Sequence, residues 1–133
     1  MIVVDTSVWI DFFRGRDKPL CGHMAALLDA DQVAVPLPVR LEILGGCRKT
    51  DFRRLKRLLG ALPVLRPAAS SWARIESWLE RTVAAGQHFG VVDLLVAALA
   101  IENDASIWSL DGDFARLSSL GFVRVHEPGA EIR

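Results

Sequence analysis

The chain has 133 residues, 51% of them apolar, and a formal net charge of +0. That length suits one domain, 1–133, around one core, and that apolar content excludes an intrinsically disordered chain. The charge is uneven, with 11 Lys/Arg against 7 Asp/Glu in residues 1–66 and 5 against 9 in residues 67–133, which predicts a dipolar surface.

Met1–Val4 is a short β-rich apolar run and predicts a buried strand. The opening stretch MIVVDTSVWIDFFRG has no basic n-region and carries Asp5 and Asp11, so it does not read as a signal peptide. Asp5, Thr6 and Ser7 offer N-cap chemistry for a helix through Phe13. Arg14 to Pro19 reads as a turn, and Leu20 to Ala30 as a second helix. Gln32 to Val35 predicts a strand stopped by Pro36 and Pro38; Val39 to Leu44 then reads as a helix ended by Gly45 and Gly46. Thr50 to Leu59 is amphipathic, and Leu62 to Leu65 is a candidate strand. Ala68 to Ala85 predicts a long helix with Trp72 and Trp78 in the core. Asp93 to Asn103 is apolar nearly all round and predicts a buried helix. Ser106–Leu110 and Phe122–Val125 predict strands flanking a short helix, Phe114–Ser119. Short apolar strands alternating with helices give an α/β fold with a mostly parallel sheet. No apolar run approaches the roughly 20 residues that span a bilayer. Cys21 and Cys47 make no metal motif and fit a reducing compartment. The expectation is a soluble cytoplasmic protein.

Four carboxylates stand where burial threatens them. Asp5 follows the first apolar run, Glu42 lies within Val39–Leu44, Asp93 precedes eight apolar residues, and Asp111 closes Ile107–Leu110. Carboxylates are costly to bury unless paired or metal-bound. Each has an ordinary alternative: Asp5 and Asp93 as helix caps, Asp111 as a turn residue before Gly112 and Asp113, Glu42 on a solvated helix face. A common pocket accounts for all four at once. Ligands of an open parallel sheet bind at the carboxyl ends of its strands, where Asp5 and Asp111 fall. Oxygen-only ligands select Mg²⁺ or Mn²⁺, and a cation held so can support phosphodiester hydrolysis by water. One ion and two ions both remain open.

These segments carry a family resemblance. Val4-Asp5-Thr6-Ser7-Val8-Trp9-Ile10-Asp11, Leu41-Glu42-Ile43-Leu44-Gly45, Val92-Asp93-Leu94-Leu95-Val96-Ala97-Ala98 and Trp108-Ser109-Leu110-Asp111-Gly112-Asp113-Phe114 resemble, in order, the four acidic motifs of PIN-domain proteins of the VapC ribonuclease-toxin type. The resemblance runs from Met1 to about Val125. It implies a PIN-like three-layer fold, a Mg²⁺-dependent endoribonuclease, frequent homodimers, and inhibition by a cognate VapB-like antitoxin. By the same resemblance, Asp5 and Asp93 are direct metal ligands, Glu42 and Asp111 complete the catalytic set, Ser7 supports Asp5, and Asp113 serves as a further acid. Leu110 departs from the family, which often has a polar or basic residue there.

An RNA substrate needs cations along its path. Arg48, Lys49, Arg53, Arg54, Lys56 and Arg57 crowd one stretch, and Arg14, Arg16 and Lys18 follow Asp5 closely. A solvated helix face explains the first set as simply. Trp9, Phe12 and Phe13, with Leu20, Met24 and Leu27, exceed what one small core needs and suggest an interface, which the resemblance implies would face a second copy or an antitoxin; plain core packing explains Trp9 and Phe13 as well. His23, His88 and His126 are scattered, none pairs with another at ligand spacing, and they read as surface or loop residues; only His88 lies near a site acid. A Mg²⁺-binding receiver-like signalling module is the competing reading, but it needs a lysine at a late strand end, and no lysine follows Lys56. A haloacid-dehalogenase-type phosphatase would need its Asp-x-Asp at the first strand, where this chain has Asp5-Thr6-Ser7.

Overall fold

The structure is a computed structural model that describes residues 1–128. Five strands form its sheet: β1 (Ile2–Val4), β2 (Val33–Pro36), β3 (Val64–Leu65), β4 (Ser106–Trp108) and β5 (Arg124–Val125). All pairings are parallel, in the order β3-β2-β1-β4-β5. Seven helices connect them among the described residues: α1 (Thr6–Arg14), α2 (Lys18–Asp29), α3 (Leu37–Gly46), α4 (Phe52–Gly60), α5 (Ala69–Ala84), α6 (Val91–Glu102) and α7 (Asp113–Ser119). The chain builds outward from β1 through β2 to β3, then crosses back through α5 and α6 to lay β4 on the other side of β1. That reversal is a topological switch point, and it opens a crevice beyond the carboxyl ends of β1 and β4.

The core follows from composition. Leu94 to Ala100 on α6 are all buried, so over these seven residues no face of the helix reaches water; only its first turn, with Val91 and Val92, is exposed. Against it α5 turns the stripe Ser71, Ile75, Trp78 and Thr82, with the three- and four-residue spacing of one helical face. Trp78 stacks on Phe122 with ring centroids 4.4 Å apart. Trp72 lies off that stripe and is 51% exposed, contrary to the expectation that it is core. On the first two helices, Trp9, Leu20, Met24 and Leu27 are buried together, so most of the supposed apolar surplus is core; Phe13 and Ile10 stay exposed.

Several boundaries differ from the sequence reading: β2 takes in Pro36, α2 starts at Lys18, β3 and β5 shrink to Val64–Leu65 and Arg124–Val125, and three further differences bear on the site. α3 begins at Leu37 and runs through both glycines to Gly46. Pro38, in the first turn, has the fixed φ a helix start wants and no N–H to lose there. β4 stops at Trp108, leaving Ser109 and Leu110 to the turn beyond it. α6 starts at Val91 with Gly90 as its cap, so Asp93 is the third residue of the helix and not its N-cap. No helix among the described residues is long and apolar enough to cross a membrane.

Candidate active site

Parallel pairing aligns Val4 with Trp108, and the Asp5 N–H donates to the Trp108 carbonyl at 2.9 Å. Asp5 and Ser109 therefore leave neighbouring strands side by side. Asp5 sits at the N-cap position of α1 but makes no side-chain capping bond. Its carboxylate looks across the sheet instead. Oδ2 accepts from Ser109 Oγ at 2.8 Å and from Ser7 Oγ at 3.1 Å. The same two hydroxyls hold the next turn: the Leu110 N–H donates to Ser7 Oγ at 3.1 Å, and the Asp111 N–H to Ser109 Oγ at 2.9 Å. Asp111 Oδ1 then accepts from the Asp113 N–H at 3.0 Å, so its turn chemistry is real and coexists with a place in the cluster. A continuous hydrogen-bonded run thus fixes Asp5 relative to Asp111 and Asp113, with both hydroxyls as donor and acceptor.

Asp93 comes in from α6, whose buried body gives its first turn no freedom to swing away. Carboxylate oxygens of Asp93, Asp111 and Asp113 lie within 4.8 Å of one another. Asp5 is not in that triple but is near enough to act on Asp93 electrostatically. Burial first, then the charges of Asp111, Asp5, Asp113 and Glu42, push the Asp93 carboxyl up to about 6. Five acids thus share one field. A cluster of oxygens that resists full ionisation fits a hard cation: the donors are all carboxylate, and positive charge is what the pocket lacks.

Glu42 is exposed on α3. It is not free, because Thr6 Oγ1 donates to its Oε1 at 2.9 Å and ties α3 to the start of α1. In the sequence reading Thr6 is only helix-cap chemistry and Ser109 only part of the fourth motif. The missing signal for Ser109 is strand register, which places a residue distant in sequence against Asp5.

A groove of 540 Å³ opens beside Glu42 between α1, α3 and α4. Its lining combines Ile10, Phe13, Ile43 and Leu55 with Arg14, Arg48 and Arg54. Of the nine basic residues considered along an RNA path, these three meet there; Arg16, Lys18, Lys49, Arg53, Lys56 and Arg57 are exposed but do not line it. Asp51 pairs with both Arg48 (3.1 Å) and Arg54 (3.5 Å) at the groove wall.

The histidines depart from expectation. His23 on α2 and the buried His126 meet Nε2 to Nε2 at 2.8 Å, with parallel rings 5.1 Å apart and Trp108 edge-on to His23. His126 directly follows β5 and His23 lies 103 residues earlier, so only the sheet brings them together. His88 is exposed.

The PIN domain family model matches residues 2–120 of this chain. "VapC ribonuclease Mb1587" of Mycobacterium bovis is 33% identical over 128 residues, covering 90% of this chain and 96% of that protein. The fold is similar to VapBC2 from Rickettsia felis, solved bound to a DNA fragment from its promoter, with a TM-score of 0.78 and 18% identity over 95% of this chain and 98% of that one. It is also similar to a toxin–antitoxin complex from Klebsiella pneumoniae, with a TM-score of 0.73 and 18% identity over 96% of this chain and 98% of that one. A model match along nearly the whole sequence and a curated relative one-third identical agree on one answer: the chain belongs to the PIN domain family, among its VapC ribonucleases.

Proposed function

We propose that this chain is the toxin of a toxin–antitoxin pair, a ribonuclease that hydrolyses RNA phosphodiester bonds using Mg²⁺, with Mn²⁺ as a substitute. The observation that carries the reading is the meeting of Asp93, Asp111 and Asp113 within 4.8 Å at the switch point of the sheet, in a chain of VapC kinship. Asp5 and Asp93 would hold the ion directly, and Glu42, Asp111 and Asp113 would hold its water ligands. A bound cation supplies an activated water and neutralises charge on the phosphoryl oxygens.

The remaining chemistry belongs to the chain. Ser7 and Ser109 occupy one oxygen of Asp5 and so orient the other. Thr6 does the same for Glu42. Arg14, Arg48 and Arg54 line a path for the phosphate backbone that ends at Glu42. The apolar part of that groove supports a VapB-like antitoxin as a competing occupant. Exposed apolar side chains on the acid-bearing helices, Leu41 on α3 and Val91 and Val92 on α6, support a homodimer, which light scattering measures. RNA as substrate calls for a cytoplasmic protein.

The deciding experiment is purified, antitoxin-free protein incubated with total RNA and Mg²⁺ or Mn²⁺. Cleavage is expected for the wild type, loss to background for Asp5→Ala and Asp93→Asn, and an unchanged circular dichroism spectrum. Full activity in Asp93→Asn would sink the assignment of the site.

A further inference from the structure

One cation stands inside the acidic cluster. Arg116 Nη1 donates to Asp113 Oδ1 at 2.9 Å, and among the described residues no other lysine or arginine is in an ion pair with any of the five acids. Its guanidinium carbon lies over the Phe89 ring, 4.3 Å from the centroid. Phe89 is buried just before α6, the helix that carries Asp93. The guanidinium is therefore located twice, by an acid of the cluster at one edge and by an aromatic face beneath.

An i,i+3 pair on an exposed helix is worth little as a stabilising contact. The positioning is more telling. A guanidinium presents five N–H donors in a plane, one of which goes to Asp113. The side chain is 46% exposed, so a ligand can reach it from solvent beside Asp113. Planar guanidinium groups match phosphate oxygens in geometry, and one held over a ring and by a carboxylate has already lost much of the rotamer freedom that binding would remove. An acidic pocket that acts on a polyanion also needs a positive group at its rim, because five carboxylates repel the phosphate they must receive.

Resting on the ribonuclease reading above, we infer that Arg116 is a substrate-contacting residue: it binds a phosphate of the RNA beside the acids, presented by the Phe89 ring and the Asp113 carboxylate. The groove lined by Arg14, Arg48 and Arg54 lies on the Glu42 side of the cluster, so Arg116 would hold the strand from the Asp113 side.

The test compares wild type, Arg116→Met and Arg116→Lys in three measurements. These are anisotropy of a labelled random-sequence single-stranded RNA in Ca²⁺, calorimetric titration of Mn²⁺ into metal-free protein, and RNA cleavage in Mg²⁺. The expected result is RNA binding weaker by about tenfold in Arg116→Met and partly restored in Arg116→Lys. Mn²⁺ affinity should be unchanged or tighter, since a positive charge has left the cluster. Equal RNA binding by Arg116→Met and wild type overturns the inference. So does a parallel loss of Mn²⁺ affinity, which would make Arg116 a prop for Asp113 only. Wild-type protein that binds RNA but cuts none defeats the ribonuclease reading alone; wild-type protein that binds no RNA defeats both.

Discussion

Asp93 is the residue whose chemistry is most exposed to a simple test. Its carboxyl titrates near 6, because burial and four neighbouring acids oppose its charge. An unfolded chain would release the same proton near 3.8. The folded protein therefore holds this proton more tightly. The group's contribution to stability is present below about pH 4 and lost as pH rises through about 6. Metal-free protein is expected to lose melting temperature between pH 4.5 and 7, and Asp93→Asn to flatten that decline. A divalent cation added at pH 7.5 should raise the melting temperature of wild type, and of Asp93→Asn much less. Calorimetric scans across pH, with and without Mn²⁺, check both arms. A flat wild-type profile would mean that the five acids do not share one field.

The helices show how far pattern alone reaches. The acid-bearing segments were legible because each interrupts an apolar run, an energetic anomaly visible in one dimension. The apolar circumference of α6 likewise announced a buried helix before any partner for it was known. What stayed hidden depended on register and direction. Ser109 gains its role from lying beside Asp5 across the β1–β4 pair, His23 and His126 meet only through the sheet, and Trp72, one residue past Ser71, faces about 100° away from the buried stripe of α5. Gly45 and Gly46 misled for another reason. Read as a helix stop, they lie inside α3, where tertiary packing of Val39 and Ile43 outweighs their weak propensity. Gly45 has no atom near the place where a Cβ would stand, and its φ is not positive. Gly45→Ala is therefore expected to stabilise the protein by about 0.4–1 kcal/mol, chiefly by restricting the unfolded chain. Urea denaturation measures it, and a destabilised variant would show that α3 needs the glycine for something other than helix formation.

Across the molecule, charge is divided rather than scarce. The first half holds the excess of cations and the second the excess of anions, which cancel to +0. Folding brings Arg14, Arg48 and Arg54 from the first half to the edge of an acidic pocket built largely from the second. A neutral protein can in this way hold RNA by a local field. If those three side chains and Arg116 each contact a phosphate, the logarithm of RNA affinity should fall with the logarithm of salt at a slope of about −2.8. Arg48→Gln combined with Arg54→Gln should bring the slope to about −1.4. Anisotropy titrations from low to moderate salt give the slope directly; an unchanged slope in the double variant would move the RNA path elsewhere.

The position of β1 sets the order in which the site can come into being. This strand is the middle of the sheet, yet roughly a hundred residues separate it from β4, the partner that covers its second side. At a translation rate of about 5–20 residues per second, that edge waits on the order of 5–20 s for its neighbour. Through that interval Asp5 has neither Ser109 nor Asp111 beside it, and no pocket exists. An incomplete chain is thus harmless to the RNA that encodes it, while its open strand edge is exposed to aggregation. A competent site exists only once the segment carrying Ser109, Asp111 and Asp113 has docked beside β1, so the birth of the activity waits on a contact between residues about a hundred positions apart.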